Sequence, residues 1–380
     1  MIRPKARRAT AGKPGAGRRR GRARGSLPLL CLAGTLFATV AAAPLSAQAA
    51  PAARYRVTIH DETWHDQDRN RDVPVRLYLP QGAPPAPVVL LSHGLGGTRE
   101  GMAYLGQAWG GAGYLVVALQ HPGSDASVWS GVRPAQRMRA LQRAANARNL
   151  ILRAGDVSFA LDHLHAVTED GMGLGIALDL SRVAVAGHSF GAHTALAVAG
   201  QRFPRAPGAA LPGRRLRARR RAGTGSPGSG TETSEDEGPL RDSRILAAIA
   251  MSPQGRESDD PQAVWGAVHI PVLHLTGTDD GDPLGRGTKP SDRLVPFQSI
   301  EGVDQVLVVF DGGDHMLFSG RTQPGRDRAR DDRYHADIQR VTLAFLGAYL
   351  WGDADLRSWL LDGAAASALK GDARVEVKSP

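Results

Sequence analysis

The chain of 380 residues holds a single cysteine, Cys31. It falls in an apolar stretch, roughly residues 27–43, that runs up to Ala47-Gln48-Ala49. Acids are absent from residues 1–25, where ten Lys and Arg side chains gather. A basic segment, a short apolar segment and an A-x-A site in that order read as a signal peptide over 1–49. The competing readings are a disordered basic leader or an uncleaved anchor. Leu30 precedes the cysteine, where a lipoprotein-type signal would place a small residue. Cleavage would leave a mature chain without cysteine, which excludes disulfides, thiol nucleophiles and Cys-ligated metals. No apolar run reaches the roughly 20 residues that span a bilayer. The expectation is therefore a secreted or periplasmic protein with no stable membrane span after signal removal.

A surplus of charge is also missing once the leader is set aside. Ten of the 47 basic residues lie in it, and the 37 that remain match 37 acids. The excess of positive charge gives no reason to expect nucleic acid as a partner. Residues 203–243 combine the run Arg214–Arg221, a Gly/Ser-rich stretch and an acidic stretch, and read as a disordered surface insertion. A contact between the arginine run and an anionic surface is the alternative there. No internal repeat is visible. None of the 12 histidines falls in a persuasive metal-ligand spacing, so neither metal nor other cofactor is expected.

What is present is a series of short apolar runs at 54–60, 72–80, 86–94, 113–122, 182–189, 245–253, 271–280 and 304–315. The first two partly alternate, as half-exposed antiparallel strands do. The later ones are near-continuous, as strands covered on both faces are. Helical stretches are expected at about 98–110, 134–168, 190–200 and 334–351. The alternation predicts an α/β fold in one domain over 50–380, its mostly parallel eight-stranded sheet carrying helices on both faces. Ligands in such sheets bind beyond the carboxyl ends of the strands.

At one such end stands Gly187-His188-Ser189-Phe190-Gly191, between "VAVA" and "AHTALAVAG". The pattern G-x-S-x-G at a strand-to-helix turn presents a serine hydroxyl at a helix N-terminus, and the flanking glycines let the turn close. A plain packing turn is the alternative. A serine needs a base and an acid to act as a nucleophile. His315, in a glycine-rich turn after a late strand, is the expected base. Asp280 is the expected acid, with Asp279 next; Asp282, Asp311 and Asp314 stand behind, and these three suit turn capping as well. The loop His93-Gly94-Leu95-Gly96-Gly97 follows another strand. The N–H groups of Leu95 and Phe190 are the expected oxyanion donors. His93 and His188 are read as backbone-positioning residues. Trp129 and Met138 are possible acyl-pocket residues, with ordinary packing as the alternative.

These stretches, with "PVLHLTGTDD" and "FDGGDHMLFSG", resemble exported α/β-hydrolases of the predicted dienelactone hydrolase and platelet-activating-factor acetylhydrolase-like group over about 74–351. The resemblance implies Ser189 as nucleophile, Asp280 as acid, His315 as base, and Leu95 and Phe190 as oxyanion donors. Dienelactone hydrolases proper use a cysteine nucleophile. The serine here favours ester over lactone hydrolysis. The expected function is an exported serine hydrolase cleaving small-molecule or lipid carboxylic esters through an acyl-serine. A lipase or cutinase-like polyester hydrolase and a serine peptidase are further enzymatic readings. A non-catalytic binding protein of the same fold is the reading from another class.

Overall fold

Val88, Val89, Leu90 and Leu91 have essentially no exposed surface, and they lie at the centre of the sheet because layers of helix cover both of its faces. The computed structural model describes residues 53–169, 173–203, 240–255, 258–321 and 327–380. The expected signal peptide at 1–49 lies outside these residues, as does the expected insertion apart from 203 and 240–243. Among the described residues no helix is long and apolar enough to cross a membrane.

The strands are β1 (Arg56–Asp66), β2 (Arg71–Gln81), β3 (Ala86–Ser92), β4 (Leu115–Leu119), β5 (Leu178–His188), β6 (Ile245–Met251), β7 (Val272–Asp279), β8 (Gln305–Asp314) and β9 (Ala373–Lys378). The helices are α1 (Ala103–Gly111), α2 (Pro134–Ala144), α3 (Ala147–Glu169), α4 (Phe190–Ala199), α5 (Pro261–Trp265), α6 (Val295–Ser299), α7 (Arg328–Leu346), α8 (Ala354–Leu361) and α9 (Ala364–Ala368). Among the described residues, these nine strands form one mixed sheet in the order β1-β2-β4-β3-β5-β6-β7-β8-β9. Neighbours from β4 through β8 run parallel. The pairs β1–β2, β2–β4 and β8–β9 are antiparallel. One apolar layer joins α3, α4 and α5 to the first face, and another joins α1, α7 and α8 to the second.

Two elements depart from expectation. The sheet has nine strands rather than eight, because β9 pairs along β8. Only Ala373 of its six residues is buried, and the strand lacks the apolar run that marks the central strands. The expected helix over 134–168 is two helices. The Asn146 side chain accepts from Asn149 N–H at 2.9 Å and donates to Arg143 O at 2.7 Å. It therefore starts α3 and closes α2 without a Gly or Pro at the break.

The strand order reverses around β3, with β4 on one side and β5 on the other. A crevice opens at the carboxyl ends of two strands that diverge in this way. Ser92 pairs with Gly187, so β3 and β5 end level, and the loop after one lies beside the turn after the other.

Candidate active site

The turn after β5 is tight. Ser189 takes φ 56° and ψ −117°, a left-handed conformation that costs a non-glycine residue about 1–3 kcal/mol. A Cβ on Gly187 would stand 2.2 Å from Gly191 O, and one on Gly191 would stand 1.9 Å from Ser92 O. Only glycine fits at either position. Ser189 N–H donates to Met251 O at 2.8 Å, which fixes the turn to the end of β6.

Three side chains from distant parts of the chain meet here. Ser189 Oγ lies 2.8 Å from His315 Nε2, and His315 Nδ1 lies 2.8 Å from Asp280 Oδ1. Asp280 has no exposed surface. Its Oδ2 accepts from Thr276 Oγ1 at 2.8 Å. Burial raises its pKa, but the hydrogen bond from His315 and the charge of Arg293 outweigh it, so the carboxylate titrates below its ordinary range. His315 is oriented from behind as well, because His188 Nε2 donates to its carbonyl at 2.8 Å. That is the backbone-positioning role expected of His188.

The acid that reaches His315 is Asp280. Asp279 is exposed at the end of β7. Asp282 accepts from the N–H groups of Leu284, Arg286 and Thr288, and Asp314 from those of Met316 and Leu317. Both are turn caps.

The loop after β3 carries Leu95. His93 Nδ1 and Gly97 N–H both donate to Gly94 O, at 2.6 and 3.0 Å, and Gly96 N–H donates to Ser124 O at 2.9 Å. The N–H groups of Leu95 and Phe190 donate to no acceptor among the described residues. Gly94 brings the loop so close that an added Cβ would stand 3.4 Å from Ser189 Cβ. Two unpaired amides beside one hydroxyl make a place where negative charge can develop.

Two cavities meet at Ser189. The larger is about 940 Å³, the smaller about 200 Å³, and Leu95, Ser189, Pro283, Leu284 and His315 line both. The corner between α2 and α3 forms part of the larger wall through Ala145, Asn146 and Ala147. Trp129 and Met138 line neither. Trp129 Nε1 donates to Gly96 O at 2.8 Å, so it props the loop after β3. Met138 is exposed on α2.

Arg293 joins the site without a motif to announce it. It is buried, its Nε stands 3.1 Å from Asp280 Oδ1, and its Nη2 donates to Gly281 O at 2.9 Å. The same Nη2 stands 3.2 Å from His315 Nδ1. The Nδ1 proton that His315 offers to Asp280 makes this last contact one of proximity rather than a bond. Nothing local in "PSDRLVPF" marks this arginine, because its partners lie in the loops after β7 and β8. Among the described residues, no group of three or more His, Cys, Asp or Glu is gathered as metal ligands are.

Several histidines are held neutral by burial. His121 is pulled down to about 4, His188 and His274 to about 3, and His93 well below its ordinary value. The unfolded chain binds protons at these sites from about pH 6.5, and the folded chain does not until far lower. Stability is therefore full above pH 6.5 and falls as the pH drops toward 4, each site contributing up to about 1.4 kcal/mol per pH unit. Urea unfolding at pH 5 is expected to give a free energy at least about 2 kcal/mol below that at pH 7. Equal values would show that these sites are not buried as described.

No protein-family model matches the chain, and no curated protein matches it.

Proposed function

We propose that the chain is a serine hydrolase of α/β-hydrolase fold that cleaves carboxylic esters through an acyl-serine. The observation that carries this is the unbroken hydrogen-bonded path from Ser189 Oγ through His315 to Asp280, with the hydroxyl at the junction of two cavities. The strand order, the turn after β5 and the positions of the acid after β7 and the histidine after β8 also support the fold assignment. The basic and apolar leader supports export.

Ser189 Oγ attacks the ester carbonyl carbon while its proton passes to His315 Nε2. The carbonyl oxygen takes the negative charge between the N–H groups of Leu95 and Phe190. Asp280, held by Thr276 and Arg293, keeps the Nδ1 proton facing it and stabilises the imidazolium. The carbon–oxygen bond to the alcohol breaks as His315 returns the proton to the leaving alkoxide. Water repeats the sequence at the acyl-serine and frees the acid. The cavities are unequal, the larger near the top of the usual range of about 300–1,000 Å³ for small-molecule sites and the smaller below it. That inequality favours an ester with one bulky and one short substituent.

The test pairs a fluorophosphonate probe with a panel of esters in which acyl and alcohol lengths vary independently. Covalent labelling at Ser189 and turnover that peaks for one long and one short group are expected. A folded protein that takes no label and hydrolyses no ester would leave the non-catalytic binding protein as the better reading.

A further inference from the structure

A second serine–histidine–aspartate chain lies beneath the first. Ser92 Oγ stands 2.9 Å from His121 Nε2, and His121 Nδ1 stands 3.0 Å from Asp156 Oδ2. The atom order matches that of Ser189, His315 and Asp280. The difference is access: Ser92, His121 and Asp156 have no exposed surface and line neither cavity. No substrate reaches them. Because His121 is neutral, Ser92 donates its hydroxyl proton to Nε2 and keeps its lone pairs for other donors.

One of those donors is Arg153 of α3, which is itself fully buried. Its Nη2 donates to Ser92 Oγ at 3.1 Å and to the carbonyl of His93. Its Nη1 donates to Ser124 Oγ at 3.0 Å, and Ser124 O in turn holds Gly96 N–H. Its Nε donates to Thr194 Oγ1 at 3.0 Å, and Thr194 Oγ1 donates to Phe190 O at 3.0 Å. The guanidinium carbon lies 4.8 Å from the centre of the Phe190 ring. A single planar fork therefore grips both sides of Leu95 and the first turn of α4. The carboxylate beneath does not depend on this arginine, since Arg71 Nε and Nη2 and Arg69 Nη1 reach Asp156 at 2.7, 2.9 and 2.8 Å.

We propose that Arg153 is a positioning residue that sets the separation of the Leu95 and Phe190 amides, with the Ser92–His121–Asp156 chain as its fixed base. The inference rests on the ester-hydrolase reading of Ser189. Losing one oxyanion donor costs about 10²–10³ in rate, and a displacement of about 1 Å costs about 10². Lysine at 153 keeps the charge but replaces three donor nitrogens with one, so it cannot hold His93, Ser124 and Thr194 together.

The test compares wild type with Arg153→Lys and Thr194→Val. Each is assayed for kcat and KM on a short ester, for inhibition by a trifluoromethyl ketone, and for urea unfolding. The ketone adduct carries its negative oxygen where the two amides converge. Arg153→Lys is expected to lower kcat about 10²-fold with KM little changed. The inhibition constant should rise by a similar factor, and the pH profile of kcat/KM should not move, because His315 and Asp280 are untouched. Thr194→Val should show the same pattern at about tenfold, and it carries the test alone if Arg153→Lys does not fold. Folded variants with wild-type kcat and ketone affinity overturn the proposal. So does a fall in kcat without a matching loss of ketone affinity, which would mark a merely structural role. A wild-type protein that takes no fluorophosphonate label overturns the parent reading and this one with it.

Discussion

Ser189→Ala is expected to lower kcat for ester hydrolysis by about 10⁴–10⁶-fold and to abolish fluorophosphonate labelling, while the protein stays folded. The only bond the hydroxyl makes among the described residues is to His315 Nε2 at 2.8 Å, so nothing else depends on it. His315→Ala should cost about as much, and the double variant no more than either, because the two groups act as a unit. Asp280→Asn should cost about 10⁴, as loss of the carboxylate frees the imidazole to take the wrong tautomer. Asp279→Asn, at the exposed neighbour, should leave the rate at the wild-type level. Steady-state kinetics on one activated ester reads all of these. Residual Ser189→Ala activity within about tenfold of wild type would sink the acyl-serine mechanism.

The second large effect concerns folding. Gly191→Ala would place a Cβ 1.9 Å from Ser92 O, 2.7 Å from Ser92 C and 3.0 Å from His93 O. All three contacts are backbone, and neither residue can retreat. Ser92 is held in register with Gly187, and the His93 carbonyl is held by Arg153. Overpacking against fixed backbone belongs to the rare substitutions that cost more than about 4 kcal/mol. The variant should be insoluble or unfold at far lower urea. Gly281→Ala is the control, with no atom nearer than 3.9 Å, and should unfold close to wild type. A Gly191→Ala protein as stable as that control would mean that the turn is not closed as described.

The central strands were legible because burial on both faces demands unbroken apolar runs, such as "PVVLL" in β3 and "VAVA" in β5. The strand β9 was not, since an antiparallel edge strand is covered on one side only and "ARVEVK" alternates. The break between α2 and α3 was hidden because Asn146 makes it with its side chain, where sequence reading looks for Gly or Pro. At the site, Ser189 and His315 stood out because each follows a strand in a glycine-rich turn. Asp280 could be separated from Asp279 only by seeing which one faces His315. The second buried chain left one trace, a charge in an apolar helix: Arg153 and Asp156 sit within "LILRAGDVSFAL". Their partners, Ser92 at the end of β3 and His121 just past β4, lie far away in sequence, and only the fold brings them together.

The backbone at position 189 has a consequence for descent. At φ 56° and ψ −117° glycine is the comfortable residue, and a serine there gives up about 1–3 kcal/mol. A lineage released from the need for a hydroxyl would drift toward glycine and become sturdier as it lost its chemistry. On the ester-hydrolase reading proposed above, the strain at this turn is the cost of presenting the hydroxyl, and Ser189→Gly is expected to unfold at higher urea than wild type while losing the fluorophosphonate label.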